Sequence, residues 1–210
     1  RKAANLCVDR EGLKDGLLAG LMVPATGTFE PGHPWRGKPT FEIKYDKAAA
    51  QKLMQEAGYG PNKKLTVKTQ TSASGSGQMQ PMQMNELIQQ NLAEIGIKVS
   101  FEVMEWNALV SSWRAGAKDA ASRGAHSTNS SYFSQDPFTC LIRHLDSRLV
   151  APKGTNWGYF ANPELDKIFD TIRTTFDPAA QLALIQKAHE TFVNEALFLF
   201  VAHDVNPRAM

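Results

Sequence analysis

The sequence predicts an α/β domain in which a mixed sheet is flanked by helices, and three features of its order carry that prediction. Strand, helix and strand patterns follow one another between residues 65 and 103. Several helices announce their starts with a capping side chain, twice followed at once by proline. An unbroken apolar run, Leu197-Phe198-Leu199-Phe200-Val201-Ala202, has the look of a strand buried on both faces.

Asp9 can cap a helix that carries Leu13, Leu17 and Leu18 at helical spacing, with Gly20 placed to end it. Asp46 caps the next helix, where Ala50, Leu53, Met54 and Ala57 form an apolar stripe and Gly58 stops it. A longer helix is predicted from about Gln78 to Glu94, since Met84, Leu87, Ile88, Leu92 and Ile95 repeat at three- and four-residue steps and Pro81 falls in the tolerant first turn. Gly96 breaks it. Ile97, Val99, Phe101 and Val103 then alternate with polar residues as in a strand with one buried face, and Leu65, Val67 and Thr69 suggest its partner. Strand, helix, strand in that order implies a parallel crossover. Asn162-Pro163 and Asp177-Pro178 each place a capping side chain before a proline at the first helical position. The first of these helices should bury Leu165, Ile168, Phe169 and Ile172, and the second Leu182, Ile185, His189, Phe192 and Val193. Residues 22–45, rich in proline and glycine, and residues 122–160, rich in Ser, Asn, Gly and aromatics, read as long loops; a loop of this length is usually either functional or a misassigned element, and the second is read as functional.

A chain of 210 residues can close over one core, burying roughly 70% of its unfolded surface, so residues 1–210 are expected to form a single domain. Apolar residues make up 42% and charged residues 21%, with no apolar run long enough to span a bilayer. The net charge of +2 comes from scattered basic residues, which excludes a clustered cationic face and makes nucleic acid an unexpected partner. Both ends, at Arg1 and after an apolar run at Met210, read as cut, so the lack of a signal segment carries nothing about compartment. Cys7 and Cys140 read as free, packed thiols, since two lone cysteines make neither a disulfide framework nor a zinc site.

The catalytic vocabulary is missing. The sequence has no nucleophile elbow, phosphate loop, paired-His metalloprotease motif or CxxC, and Gly75-Ser76-Gly77 is too short to suggest a dinucleotide. The five histidines share no metal-ligand spacing, and His189, on an apolar helix stripe, reads as a satisfied packing residue. No catalysis, metal or cofactor is expected. The tryptophans say more: Trp106 sits where the clearest strand ends, the place where α/β sheets usually bind ligands, although it could equally plug the sheet edge. Trp113 reads as core, and the position of Trp157 relative to any site is open. The segment Arg123-Gly124-Ala125-His126-Ser127-Thr128-Asn129-Ser130-Ser131-Tyr132 offers neutral hydrogen-bonding groups around a glycine, suited either to orienting a polar solute or to lying in solvent.

Five blocks, in order, resemble one family. Arg1-Lys2-Ala3-Ala4-Asn5-Leu6-Cys7-Val8-Asp9-Arg10-Glu11 is similar to the RKALNLAIDRE stretch of the oligopeptide-, dipeptide- and nickel-binding proteins, extracellular solute-binding family 5. Pro24-Ala25-Thr26-Gly27 with Pro31-Gly32-His33-Pro34 resembles its proline-rich loop, and Tyr45-Asp46-Lys47 through Glu56-Ala57-Gly58-Tyr59 resembles its YDPEKAKALLAEAGY. Ile88-Gln89-Gln90-Asn91-Leu92 through Gly96-Ile97-Lys98-Val99 and Glu105-Trp106 resembles its helix, strand and tryptophan, and Tyr159-Phe160-Ala161-Asn162-Pro163-Glu164-Leu165-Asp166 its YSNPELD. The resemblance implies a lobe of the periplasmic-binding-protein type II architecture, the continuous second lobe of a two-lobe protein that closes over its ligand. It further implies a small solute or peptide-like ligand, an ABC permease as partner, a missing first lobe, and a periplasmic or extracytoplasmic location with lipid anchoring left open. By the same resemblance Trp106 and residues 124–132 face the cleft between lobes. A sensor or regulator with the same domain fused to a DNA-binding or signalling module is the alternative.

One departure bears on the ligand. The family's peptide binders usually show Gly-Trp at this loop and an aspartate a few residues later for the ligand's α-amino group, whereas this chain has Gly124-Ala125 and no carboxylate until Asp136. A buried ammonium without a carboxylate costs several kcal/mol. The expected ligand is therefore a neutral or anionic polar solute, such as a modified peptide, glycoside or opine-like compound, contacted by His126, Asn129 and Tyr132.

Overall fold

The computed structural model describes residues 1–60, 62–131 and 136–204. The chain opens with α1 (Lys2–Cys7), α2 (Arg10–Gly12) running on into a π turn at Leu13–Leu17, and β1 (Met22–Pro24). There follow α3 (Lys47–Glu56), β2 (Leu65–Ser72), α4 (Pro81–Glu94), β3 (Ile97–Met104), α5 (Trp106–Ala115) and β4 (Ser127–Thr128). A π turn at Phe138–Ile142 leads into α6 (Arg143–Leu145), and the chain ends with α7 (Pro163–Thr174), α8 (Pro178–Asn194) and β5 (Ala202–Asp204).

The caps form as their chemistry requires. Asp9 accepts from the Gly12 N–H, Asp46 from Ala49, Asn162 from Glu164 and Leu165, and Asp177 from Ala180, each satisfying amides that the first helical turn leaves without partners. α4 begins at Pro81 rather than near Gln78. Proline disfavours helical backbone in the residue before it, and Gln80 is extended at φ −140°. Gln78 is thereby left in the loop between β2 and α4.

β2 and β3 run parallel in register from Leu65 opposite Ile97 to Ser72 opposite Met104, as the strand, helix, strand order predicts. β4 lies parallel on the other side of β2, with Thr69 opposite Ser127 and Gln70 opposite Thr128, so the strand order is β3-β2-β4. α4 packs on one face, where Ile88, Leu92, Ile97 and Val99 meet Leu6 of α1, Val8 just after it, and Ala50 and Met54 of α3. α5 packs on the other face, where the Ser112 hydroxyl meets the buried side chain of Gln70. Burial along β3 fades toward its carboxyl end, and Val103 is half exposed. A second core unites Leu165, Phe169, Ile185 and Phe192 of α7 and α8 with Cys140–Leu145. Within these helices Leu182 is only half-buried, and Ala57 near α3 is exposed.

The run at residues 197–202 corrects the expectation of a doubly buried strand. Only Ala202–Asp204 is strand, paired antiparallel with β1 from Met22 opposite Asp204 to Pro24 opposite Ala202. Before it, side chains replace a neighbouring strand: Asn5 Nδ2 donates to the Phe198 carbonyl, Asn5 Oδ1 accepts from the Phe200 N–H, and Arg10 donates twice to the Phe200 carbonyl. Residues 22–45 and 122–160 hold no longer element than β1, β4 and the short turns named above. Cys7 and Cys140 are free and buried, and burial pushes their thiols up to about 11 and about 12, so both stay protonated at neutral pH. The descriptor of an α/β fold with helices flanking mixed strands holds.

Candidate functional site

In an open α/β sheet, ligands bind outside the carboxyl ends of the strands, where consecutive connections leave on opposite faces. Here β2 leads to α4 on one face, and β3 returns through α5 on the other to place β4 beside β2. The switch point therefore lies between the carboxyl ends of β2 and β4. The loop after β2, residues 73–80, meets the segment after β4 there, and Gln78 Nε2 donates to Asn129 Oδ1 across the gap.

Trp106 forms the side of this edge. It is the first residue of α5, whose amides on Asn107 and Ala108 are capped by the Glu105 carboxylate at 2.8 and 3.2 Å. Its ring meets Trp113 edge to face with centroids 5.2 Å apart, and Trp113 is fixed in turn by its Nε1 donating to Thr128 Oγ1 at 2.6 Å. Trp113 is only half-buried, so it braces Trp106 against β4 rather than filling a closed core. On the other side the loop passes so close that a Cβ on Gly75 would sit 2.9 Å from the Trp106 Cβ, with Gly75 itself at φ +83°. Both conditions call for glycine. Gly75→Ala is expected to cost about 1–2 kcal/mol and to shift the tryptophan emission maximum as Trp106 is displaced; an unchanged spectrum and unfolding midpoint would remove the loop's role in seating that ring.

The polar segment from Gly124 to Tyr132 is divided by the strand within it. Asn129 stands at the carboxyl edge, donating from Nδ2 to Asn85 Oδ1 at 3.2 Å. His126 lies three residues back, about 10 Å along the strand direction. Its backbone N–H donates to the Lys68 carbonyl and its Nδ1 accepts from the Lys68 N–H, so one ring nitrogen is engaged on the strand backbone. Ala125 is buried with its N–H on the Ser122 carbonyl, and Gly124 turns the entry to β4 at φ +70°. The structure thus gathers Trp106 and Asn129 and places Gly124, Ala125 and His126 toward the entering end of β4. Tyr132 lies outside the described residues. Trp157 donates from Nε1 to Ser122 Oγ, which also meets Ser112 Oγ and the Gly116 carbonyl, alongside the last turns of α5 and about 9 Å of helix from Trp106.

The edge carries no free carboxylate among the described residues. Glu105 is engaged as a cap, and Asp136 caps the following turn by accepting from the Thr139 N–H at 2.8 Å; hydrogen bonds with Thr139 hold its carboxyl below the usual range. Among the described residues no group of three His, Cys, Asp or Glu is arranged to hold a metal ion. Two surface hollows of about 310 and 340 Å³ lie elsewhere, one against His33, Arg36 and Glu190 and one against Lys64, Gln89 and Gly96, the latter at the amino ends of the strands. Neither gathers Trp106 or Asn129. Sequence reasoning missed Gly75 and Gln78, because Gly75-Ser76-Gly77 was weighed only as a nucleotide motif and Gln78 was assigned to helix. The signal available was position, since both fall between the end of a predicted strand and the proline that starts a helix.

The family model described as bacterial extracellular solute-binding proteins, family 5, middle matches residues 1–146. "Di/tripeptide-binding protein 2" of Pseudomonas aeruginosa is 27% identical over 180 residues, covering 86% of this chain and 32% of that protein. "Glutathione-binding protein GsiB" of Salmonella typhi is 25% identical over 204 residues, covering 93% of this chain and 37% of that protein. The chain thus spans about a third of the length of these curated relatives. Among solved structures, the dipeptide-binding protein of Pseudoalteromonas sp. SM9913 in complex with Met-Leu superimposes with a TM-score of 0.76 at 19% identity, covering 97% of this chain and 39% of that one. The Escherichia coli murein tripeptide binding protein MppA gives 0.75 at 21% identity, with the same 97% and 39% coverage. These likenesses establish the fold as that of the periplasmic-binding-protein type II lobes. Family match over most of the chain and fold agree: the chain belongs to the bacterial extracellular solute-binding proteins of family 5.

Proposed function

We propose that this chain is the second lobe of a two-lobe substrate-binding protein that captures a small polar or peptide-like solute outside the cytoplasmic membrane and delivers it to an ABC permease. The observation that carries the reading is the conjunction at the switch point: an indole braced on two sides, beside neutral amides that bridge two strands. An aromatic wall with hydrogen-bonding groups can grip and orient a solute, and the proposal assigns the chain no catalysis. The named relatives are binding proteins, so the importer reading is carried forward rather than the regulatory one. The ligand is proposed to be neutral or anionic where it meets this wall, because the carboxylate of Glu105 beside Trp106 is occupied by backbone amides. Trp106 and Asn129 are assigned the contacts, with Tyr132 as a further candidate, and His126 a supporting place at the strand edge.

Lobe closure encloses the solute between two walls, of which this chain supplies one. The test uses the full-length protein. Native mass spectrometry of the purified protein identifies the carried solute, and calorimetry then measures its affinity. Trp106→Ala is expected to weaken binding by about 30-fold or more, the loss of a central aromatic contact worth about 2 kcal/mol, with the unfolding midpoint nearly unchanged. Equal affinity in the variant would sink the assignment of this edge as the binding wall.

A further inference from the structure

The amides at the switch point form a chain with a fixed direction, and that direction determines what the edge presents to a ligand. Asn85 is buried on α4, and its Nδ2 lies 2.7 Å from the Pro81 carbonyl oxygen and 3.3 Å from Thr71 Oγ1. A backbone carbonyl only accepts, so the Asn85 atom facing it must be the NH2 group. Asn85 Oδ1 is then the acceptor that faces Asn129, and the Asn129 atom 3.2 Å from it must be Nδ2. Asn129 therefore turns Oδ1 toward Gln78, which must answer with Nε2. Each amide orients the next, starting from one carbonyl that cannot be reversed.

The chain ends at Gln78 Oε1. Among the described residues it is the one heavy atom of the three amide heads without a partner, and it is not buried, since only His203 Nε2 is both buried and unpartnered. We infer that Gln78 is a specificity-determining residue whose Oε1 accepts a hydrogen bond from a ligand N–H, so that the edge selects solutes carrying an amide-type donor at that point. This rests on the reading of the edge as a binding wall. A free glutamine can rotate its head to offer either an acceptor or a donor; this one is held to one polarity by Asn129, itself oriented by the buried Asn85. A ligand carbonyl brought to the same place meets oxygen against oxygen, and an N-methylated amide has no proton to offer.

The experiment uses the full-length protein, its purified cargo removed by unfolding and refolding, presented with an equimolar library of N-acetylated tripeptides, which carry no α-ammonium, and of the same tripeptides N-methylated at each amide. Bound species are read by native mass spectrometry and their affinities by calorimetry. Wild-type protein is expected to favour one N–H position, with methylation there weakening binding about tenfold, the size of one well-made hydrogen bond. Gln78→Met, of similar volume and without the acceptor, is expected to lose about tenfold for the parent tripeptide and to bind parent and methylated forms alike. Asn129→Leu should give the same loss of discrimination through release of the Gln78 head, which a merely structural role for Asn129 would not do. If Gln78→Met keeps both affinity and discrimination, the inference is overturned while the binding wall stands. If the wild-type protein captures nothing from the library, the binding-wall reading for peptide-like solutes fails and takes the inference with it.

Discussion

Arg10→Met is expected to destabilise the domain by about 3–5 kcal/mol, read as a lower urea midpoint with the slope of the transition little changed. The guanidinium is buried and forms no ion pair among the described residues. Its donors go instead to backbone oxygen: Nε and Nη2 to Phe200 at 2.9 and 2.7 Å, and Nη1 to Asn5 at 2.9 Å and Val8 at 3.1 Å. Burial pulls this guanidinium down to about 10, which still leaves it charged at neutral pH. Methionine fills most of the same volume, so the loss measures hydrogen bonding rather than a cavity. Three carbonyls that accepted from a cation would be left buried, each at a cost of about 1–3 kcal/mol before relaxation. Arg10→Lys, with fewer donors in a different geometry, should fall between the two proteins. A methionine variant within about 1 kcal/mol of wild type would show that water or backbone shifts replace the guanidinium, and the account of why residues 197–201 need no partner strand would fail with it.

That network also shows where the sequence stops being legible. An apolar run of six residues can be a buried strand or a buried irregular segment, and periodicity alone does not separate them. What separates them here is a pair of polar side chains, Asn5 and Arg10, some 190 residues earlier in the chain. By contrast Asp9, Asp46, Asn162 and Asp177 act on amides two or three residues away, and their helices were readable for that reason. The parallel pairing of β2 and β3 followed from order alone, because two strands separated by a helix in one sheet have few other solutions.

The site was half legible on the same grounds. Trp106 could be placed because it directly follows an alternating strand, and strand ends are where such sheets bind. The segment from Gly124 to Asn129 reads as one polar surface, yet its short strand carries His126 and Asn129 to different ends of the edge. Gln78 and Asn129 are separated by 51 residues and meet only through the register that sets Thr69 opposite Ser127. No local pattern encodes that meeting. The departure at Gly124-Ala125 remains the one ligand signal written in contiguous sequence, and the occupied carboxylates of Glu105 and Asp136 are consistent with it.

The second large effect is expected in acid. His189 is buried on α8, and its Nε2 accepts from the Thr28 N–H at 3.1 Å and the Phe29 N–H at 3.4 Å, while Nδ1 faces the Arg36 carbonyl at 2.8 Å. A nitrogen that accepts from two amides carries no proton, so the proton sits on Nδ1 and is donated to Arg36. Burial pushes the imidazole down to about 4, with Arg36, His33 and His203 lowering it further and the Arg36 carbonyl pulling the other way. The unfolded chain titrates near 6.5. Stability from the neutral ring is therefore complete above that value and is lost as the pH falls from about 6.5 to about 4, to the extent of roughly 3 kcal/mol. His144, which burial also holds down to about 4, adds a loss over the same window. His189→Gln keeps an acceptor for the Thr28 and Phe29 amides without a titrating ring, and is expected to remove about half of the fall in urea midpoint between pH 6.5 and 4. The fall that remains should be shared by His144 and His203, whose imidazole burial also holds below its ordinary value, and His144→Gln on the same background should remove the larger part of it. A single-variant profile parallel to wild type would mean that the loop at Thr28 and Phe29 opens to water before the ring is protonated, leaving His189 a packing residue with no part in acid stability.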